Sequence, residues 1–224
     1  MPALDEAAFI GQTLARVQTA LPGAGIIVVD GGSTDCTTAI AARFGAVIIN
    51  SARGRGIQCR AGALHAVSEW LFFLHADSLV PQEAGRRMLA FAANPAAQIG
   101  TFRVQFAEGG KLLNALAWAA SRADSVFTRF GDQGILIRRS FYERIGGFPP
   151  WPLFEDVALF QRARKLTRVH WLPGNVVTSA RRFRAQGILR QRISNAVLIL
   201  RYLRGASPYE LAARYPPHNL PRDS

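Results

Sequence analysis

The chain has 224 residues, 49% hydrophobic and 19% charged, which is long enough for one sizeable core and excludes a solvated, disordered tail. No run approaches the roughly 18 consecutive apolar residues of a membrane span, no secretory signal pattern opens the sequence, and two cysteines (Cys36, Cys59) give no disulfide framework, so a reducing cytoplasm is the expected setting. The net charge of +12 leaves nucleic acid, anionic lipid or a phosphorylated small molecule open as partners, and seven arginines lie between Arg181 and Arg204.

In chain order, Glu6 to Ala20 is predicted to be a helix, with Phe9, Ile10, Leu14 and Val17 on one face. "GIIVVD", Gly25 to Asp30, predicts a short buried strand closed by "GGSTD", and Thr34 or Asp35 can cap the helix that follows to about Gly45. "AVIIN" predicts another strand, Gly56 to Glu69 a helix, and "WLFFL", Trp70 to Leu74, a greasy strand expected mid-sheet. Gln82 to Ala93 predicts a helix and "GTFRVQF" a strand. Alternating strands and helices imply a mainly parallel sheet covered on both faces, with ligands at the carboxyl ends of its strands.

The second half is less regular. It offers an amphipathic helix from Lys111 to Ser125, a strand at "GILIRR", a helix starting near Glu155, two late strands at "VHWLP" and "NVVTS", and a closing helix from Ile188 to Leu203. The apolar positions of that last helix are Leu189, Ile193, Ala196, Val197, Leu200 and Leu203.

Acidic side chains recur where apolar segments end. Asp30 follows a strand and precedes Gly31 and Gly32, which let the backbone turn tightly; it can accept hydrogen bonds from a base or ribose, or belong to a helix-start turn. Asp77, in "LHADS", is a hard oxygen ligand suited to Mg²⁺ or Mn²⁺, and His75 suits Mn²⁺ better; alternatively Asp77 or Ser78 caps the helix that Pro81 opens. Asp132 stands in "FGDQG", and Glu155 with Asp156 begins a helix, where the dipole favours acids whatever their role. Arg53 and Arg55, in "ARGRG", can meet phosphates or simply be solvated. His65 reads as a packed or surface histidine and Cys36 as a small core residue.

Taken jointly, these segments resemble the family-2 glycosyltransferases of GT-A fold. "PALDEAAFIGQTL" looks like the family's P-x-L-N-E-E opening, and "VVDGGSTDCT" like V-D-D-G-S-x-D-x-T. "FLHADSLVP" resembles F-L-D-A-D-x-x-x-P with histidine in the first acidic place, and "GGFPPWPLFEDVALFQRAR" resembles G-G-F…E-D…R. The variant "LHAD", "GDQG" and the ending "LRYLRGASPYELAARY" look closest to the bacterial selenodomain-associated transferases. The resemblance implies an α/β GT-A domain over residues 1–185, with a donor half at about 1–107 and an acceptor half at about 108–185. Residues 186–224 follow as a basic, amphipathic helical extension. It implies a nucleotide-diphosphate sugar donor, an acceptor hydroxyl of unknown identity and a Mn²⁺ or Mg²⁺ cofactor. Pro2, Leu4, Glu6, Asp30, Arg53, Arg55 and Asp77 would contact the donor. Asp77 and His75 would hold the metal, and Asp132 and Gln133 would border the acceptor or sugar. Asp156 would be the general base, with Glu155 supporting it.

Three segments depart from the family pattern. The hydrophobic strand that normally precedes P-x-L-N-E-E is expected to be missing, because Met1 directly precedes Pro2. "GIQCRAG" lacks the family's A-R-N, and Q-x-x-R-W is absent, with Arg181 or Arg182 standing near its place. Two other functions fit parts of the pattern. Nucleotidyl transfer to a sugar phosphate lacks its glycine-rich basic signature. A basic module for nucleic acid lacks a recognised motif and interleaved aromatics, so no nucleic-acid partner is expected. The closing helix is expected either to pack as an ordinary core helix or to make a peripheral membrane or homo-oligomer contact.

Overall fold

The computed structural model describes residues 1–120, 131–180 and 187–213. Pro2–Ala3 forms β1, Ile10–Ala20 α1, Ile27–Asp30 β2, Thr37–Arg43 α2, Val47–Asn50 β3 and Arg55–His65 α3. Strands β1, β2 and β3 run parallel, with Val29 opposite Pro2 and Ile49. Apolar residues from α1 (Ile10, Leu14) and α2 (Ala41) pack on Ala3 and Val28 of this sheet. Of the expected face, Ile10, Leu14 and Val17 are buried; the helix starts at Ile10 rather than Glu6, so Phe9 precedes it and is half-buried.

A two-residue strand, Pro2–Ala3, pairs with β2; it lies within the P-x-L-D-E segment and is not the hydrophobic strand expected to be missing before Pro2. The Met1 amine donates to the Ile27 carbonyl at 2.9 Å, and the Val29 amide donates to the Met1 carbonyl at 2.8 Å. It escaped the sequence reading because two residues show no alternation, and proline, which lacks a ladder donor, argues against a strand.

The second sheet comprises β4 (Trp70–Phe73), β5 (Ser78–Leu79), β6 (Ile99–Ala107), β7 (Ile135–Arg138) and β8 (His170–Ser179), in the order β4-β7-β6-β8-β5. Here β6 and β8 are parallel, whereas β7 runs antiparallel to both β4 and β6, and β5 antiparallel to β8. The α/β architecture is the expected one, and the antiparallel ladders enter with the second half. Strand β4 stands at the end of this order rather than in its middle. It is apolar at successive positions because both its faces are covered: Leu71 and Phe73 pack on one side, Trp70 and Phe72 on the other. The two predicted late strands are one, β8. Pro173 and Gly174 sit where its pairing with β6 jumps between Thr101 and Arg103, a bulge that accommodates both residues without ending the strand.

Helices α4 (Ala84–Ala92), α5 (Gly110–Ala120), α6 (Arg139–Arg144), α7 (Glu155–Arg164), α8 (Ile188–Leu203) and α9 (Pro208–Ala213) complete the described fold. The predicted end of α5 near Ser125 lies outside the described residues. Helix α3 stops at His65, short of the expected Glu69, and the Arg139 guanidinium takes the carbonyls of Ala66 and Ser68 just beyond it. His65 is exposed and its Nδ1 lies 2.9 Å from the Ala61 carbonyl, as suits a surface histidine. One core cluster joins α3, α6 and α7 to the sheet through Cys59, Phe141, Leu159 and Phe160; a second joins α1 and α4 through Val17 and Met88.

Close approach of α3 to the segment before α7 depends on Gly56. A Cβ there would lie 2.3 Å from the Pro149 carbonyl oxygen and 2.8 Å from that of Trp151. Both are backbone atoms that cannot swing aside. Gly56→Ala is expected to destabilise the protein by about 1–3 kcal/mol, the usual cost of overpacking, read as a lower urea midpoint at unchanged slope. An unchanged midpoint contradicts this packing.

Candidate active site

Asp30 closes β2 and Asp77 follows β4, whereas Asp132 precedes β7 and Glu155 and Asp156 open α7. Asp30 is 5% exposed and turns back on its own loop. Its Oδ2 accepts the amides of Gly32 (3.0 Å) and Ser33 (2.9 Å), and its Oδ1 accepts the Ser33 hydroxyl. The carboxylate thus shapes the turn that follows β2. The segment around Leu4 and Glu6 is laced to the same loop: the Glu6 amide donates to Thr37 Oγ1 at 2.8 Å, the Asp5 amide to Ser33 Oγ at 2.9 Å, and the Thr34 amide to Asp5 Oδ1 at 2.7 Å. Pro2 is buried in β1.

Asp35 receives the Ala7 amide at 3.0 Å and the Thr37 amide at 2.9 Å, but the N-cap position of α2 is Cys36, without a side-chain cap bond, so neither Thr34 nor Asp35 is the cap that was expected. Burial pushes its carboxyl upward, but the Thr37 hydroxyl and these amides outweigh it and leave the group below its ordinary value. Cys36 beside it is exposed, not the core residue expected.

Beyond β4 the chain reaches His75 and Asp77. Neither Asp77 nor Ser78 caps the next helix, because α4 begins only at Ala84 after Glu83. Ser78 instead opens β5, its hydroxyl donating to Thr178 Oγ1 at 3.1 Å across the β8 pairing. That anchor fixes the position of Asp77, which is only half-buried. A Cβ added to Gly131 would lie 3.3 Å from His75 Nε2 and 3.4 Å from Asp156 Oδ2, so these two atoms face one point that glycine leaves open.

A 3-10 turn, Gly131–Gln133, precedes β7 and places Asp132 and Gln133 beside them. The Gly131 amide donates to Asp156 Oδ2 at 2.6 Å, and the Val157 amide to Asp156 Oδ1 at 2.7 Å. Asp132 has its Oδ1 shielded from solvent without a hydrogen-bond partner. Burial, then the charges of Asp156 and Asp77, raise its carboxyl to about 7, although Arg55 pulls the other way. Gln133 is 3% exposed.

At the start of α7, Glu155 and Asp156 are 3% and 6% exposed. Glu155 pairs with Arg55, Nε to Oε1 at 3.1 Å, while its Oε2 has no hydrogen-bond partner. Burial raises the Glu155 carboxyl, Arg55 lowers it and Asp156 raises it further, leaving it above its ordinary value. Arg55, expected to meet phosphate, thus spends one nitrogen tying the start of α3 to the start of α7. Arg53 is exposed on the loop before α3. Arg181 and Arg182 lie outside the described residues.

Two contributors carried little sequence signal. Phe154 adopts a left-handed conformation (φ 62°), a strained state for a bulky residue, which turns the chain sharply into α7. Gln58, buried at 3%, donates through Nε2 to the carbonyls of Ala3 and Val29, both at 2.8 Å, and so pins β1 to β2. It falls within "GIQCRAG", where the family pattern fails. Cys59, next to it, is held inert by burial, which pushes its thiol up to about 12.

Among the described residues, no three His, Cys, Asp or Glu side chains form a ready cation cage. The donor set of Asp77 and His75, with unsatisfied carboxylate oxygen nearby, fits a divalent ion that takes the rest of its shell from a bound diphosphate.

Parallel strands whose carboxyl ends carry acidic loops, joined to an antiparallel half that supplies a second acidic turn and helix start, define a GT-A-type glycosyltransferase fold. The structure is similar to the mannosyltransferase PcManGT from Pyrobaculum calidifontis in complex with GDP-Man and Mn²⁺ (20% identity, TM-score 0.66, 95% of this chain and 66% of that one). It is also similar to S. aureus TarS 1-349 (16% identity, TM-score 0.64, 80% and 59%). A third similar structure is glucosyl-3-phosphoglycerate synthase from Mycobacterium tuberculosis with Mn²⁺, UDP and glucosyl-3-phosphoglycerate (18%, TM-score 0.53, 79% and 68%). The chain thus spans less than two thirds of the first two relatives. Among curated proteins, none matches it. The profile of glycosyl transferase family 2 matches residues 1–148, and the chain belongs to that family.

The raised Asp132 carboxyl has a consequence for stability. The folded state keeps this proton longer than the unfolded chain, so ionisation opposes folding progressively between about pH 4 and 7, and fully above. Asp132→Asn removes that opposition. In chelator-treated protein its Tm is expected to exceed the parent's at pH 8, by about 2–4 °C for each kcal/mol relieved, and to match it near pH 4. A lower Tm at pH 8 contradicts the assignment.

Proposed function

We propose that this protein transfers a sugar from a nucleoside-diphosphate donor to an acceptor hydroxyl, with inversion at the anomeric carbon. The observation that carries this reading is the meeting of His75 Nε2 and Asp156 Oδ2 at the open point beside Gly131, with Asp77 close enough for its charge to help raise the Asp132 carboxyl. Family membership and the GDP-Man and UDP named for similar structures support the donor class. The proposal takes residues 1–107 as the donor half, 108–185 as the acceptor half and 186–224 as the extension.

The Asp30 turn, with the Leu4–Glu6 segment bonded to it, would receive the base and ribose. Arg53 is free to swing toward phosphate, and Asp77 with His75 would hold Mn²⁺ or Mg²⁺ against the diphosphate. When bound, that ion supplies positive charge to the oxygen left behind as the sugar–phosphate bond breaks.

On the opposite face of the sugar, the acceptor oxygen forms its bond to the anomeric carbon and gives its proton to Asp156. Two amides orient that carboxylate, and the α7 dipole favours its charge. Asp132 and Gln133 border the acceptor or sugar. Glu155 acts through Arg55 rather than on substrate: their pair holds the helix start, and with it Asp156, in place.

Asp156→Asn preserves the shape and removes the base, so turnover should fall about 10²–10⁴-fold, measured as nucleoside diphosphate released from a panel of sugar nucleotides. Asp77→Ala should abolish the dependence on added Mn²⁺. Gly131→Ala should lower turnover by placing a methyl group between His75 and Asp156. Undiminished turnover in a folded Asp156→Asn protein contradicts the assignment, and pyrophosphate as product contradicts the reaction.

A further inference from the structure

Helix α8 turns an apolar stripe away from the protein. Its inward residues are Leu198 and Ile199, packed with Leu153, Phe154 and Val157 and with Leu211 of α9. Ile193, Val197, Leu200 and Leu203 are 56%, 47%, 42% and 44% exposed, and their spacing stacks them along one side. They are four of the six apolar positions that follow helical spacing in the sequence; Ala196 is half-buried, and the side chain of Leu189 lies outside those described. A single exposed leucine is ordinary, but four aligned on one helix form a patch that calls for a partner.

The charge around the stripe identifies that partner. Arg190, Arg201 and Arg204 are exposed on the same helix or at its end. No acidic residue occurs in the chain between Asp156 and Glu210. A second copy docked through this face would bring two sets of arginines together, in a chain of net charge +12. An anionic lipid surface offers both missing complements: acyl boundary for the stripe, and headgroup phosphates for guanidinium groups whose apolar stems can lie along it. No described helix is long and apolar enough to cross a membrane, so the contact would lie in the plane of the surface.

We propose that α8 is a docking surface for an anionic lipid bilayer. The same helix braces the segment leading into α7. The Tyr202 ring packs 5.0 Å from Phe154 and 6.3 Å from Trp151, and the Tyr209 hydroxyl of α9 donates to the Pro150 carbonyl at 3.1 Å. Docking therefore sets the turn before Glu155 and Asp156 on a lipid-bound support. The inference is independent of the sugar-transfer reading, because binding is read without turnover.

Flotation of the full chain with phosphatidylcholine vesicles, alone and mixed with phosphatidylserine, tests it. The protein is expected to float with the mixed vesicles at low salt, to stay behind with phosphatidylcholine alone, and to lose binding at high salt. Val197→Glu combined with Leu200→Glu should lower partitioning at least about tenfold. Neutralising Arg190 or Arg201 to Gln should lower it roughly fivefold each. Leu89→Glu, at a position 73% exposed on α4, should change nothing. Flotation equal for the Val197/Leu200 variant and the parent, or none with either vesicle, overturns the proposal. So does light scattering that finds a dimer which the Val197/Leu200 variant converts to monomer, since a second copy would then cover the stripe. All substituted positions are exposed, and unchanged melting curves verify the fold of each variant.

Discussion

Everything at the candidate site follows from crowding like charges where water is scarce. Asp77, Asp132 and the adjacent Glu155 and Asp156 come from three parts of the chain, and burial together with the charges of Asp156 and Asp77 raises the carboxyl of Asp132 to about 7. An isolated domain gains nothing from such an arrangement: an unpaired buried carboxylate opposes folding, and ordinary selection for stability would replace it. The arrangement becomes favourable once positive charge is added, and Arg55 supplies only part of it by pairing with one oxygen of Glu155. The remainder defines the electrostatic demand that a divalent ion and its polyphosphate partner would meet.

The scaffold meets that demand through backbone geometry more than through side-chain variety. Ser78 joins β5 to β8 and fixes Asp77 from behind. The Gly131 amide orients Asp156, while the missing side chain of the same glycine leaves the space beside His75 open. The left-handed Phe154 turns α7 so that its first two residues face inward, and the aromatic ring of Tyr202 covers that strained residue. Strain and unsatisfied polar groups lie together at this end of the sheet, as expected where function rather than stability sets the structure.

Much of this was legible in the chain itself, and the reasons differ by element. The amphipathic spacing of α1 and the β-branched run of β2 are local signals, and both elements form and end as the pattern places them, although α1 starts at Ile10 rather than Glu6 and β2 at Ile27 rather than Gly25. The acids after strands and at the start of α7 were recognisable because dipole, glycine and carboxylate occur together in sequence. What was hidden depends on distant partners. No periodicity reveals that Arg55 is drawn to Glu155, that Gln58 bridges two carbonyls, or that β4 lies at the end of its sheet with both faces covered. Strand β1 was hidden for the opposite reason: two residues carry no pattern, and only pairing with β2 makes them a strand. For α8 the apolar period was plain, but whether the stripe faces core or solvent is a tertiary fact.

The central claim is that this acidic cluster is completed by a cation carried with a diphosphate. Calorimetric titration of the protein with UDP and with GDP, each in Mn²⁺ and in chelator, addresses it most directly. The account predicts saturable binding of one of these nucleotides in Mn²⁺ that is lost in chelator and lost again in Asp77→Ala. Binding of equal strength with the metal removed, or retained in full by Asp77→Ala, would contradict it.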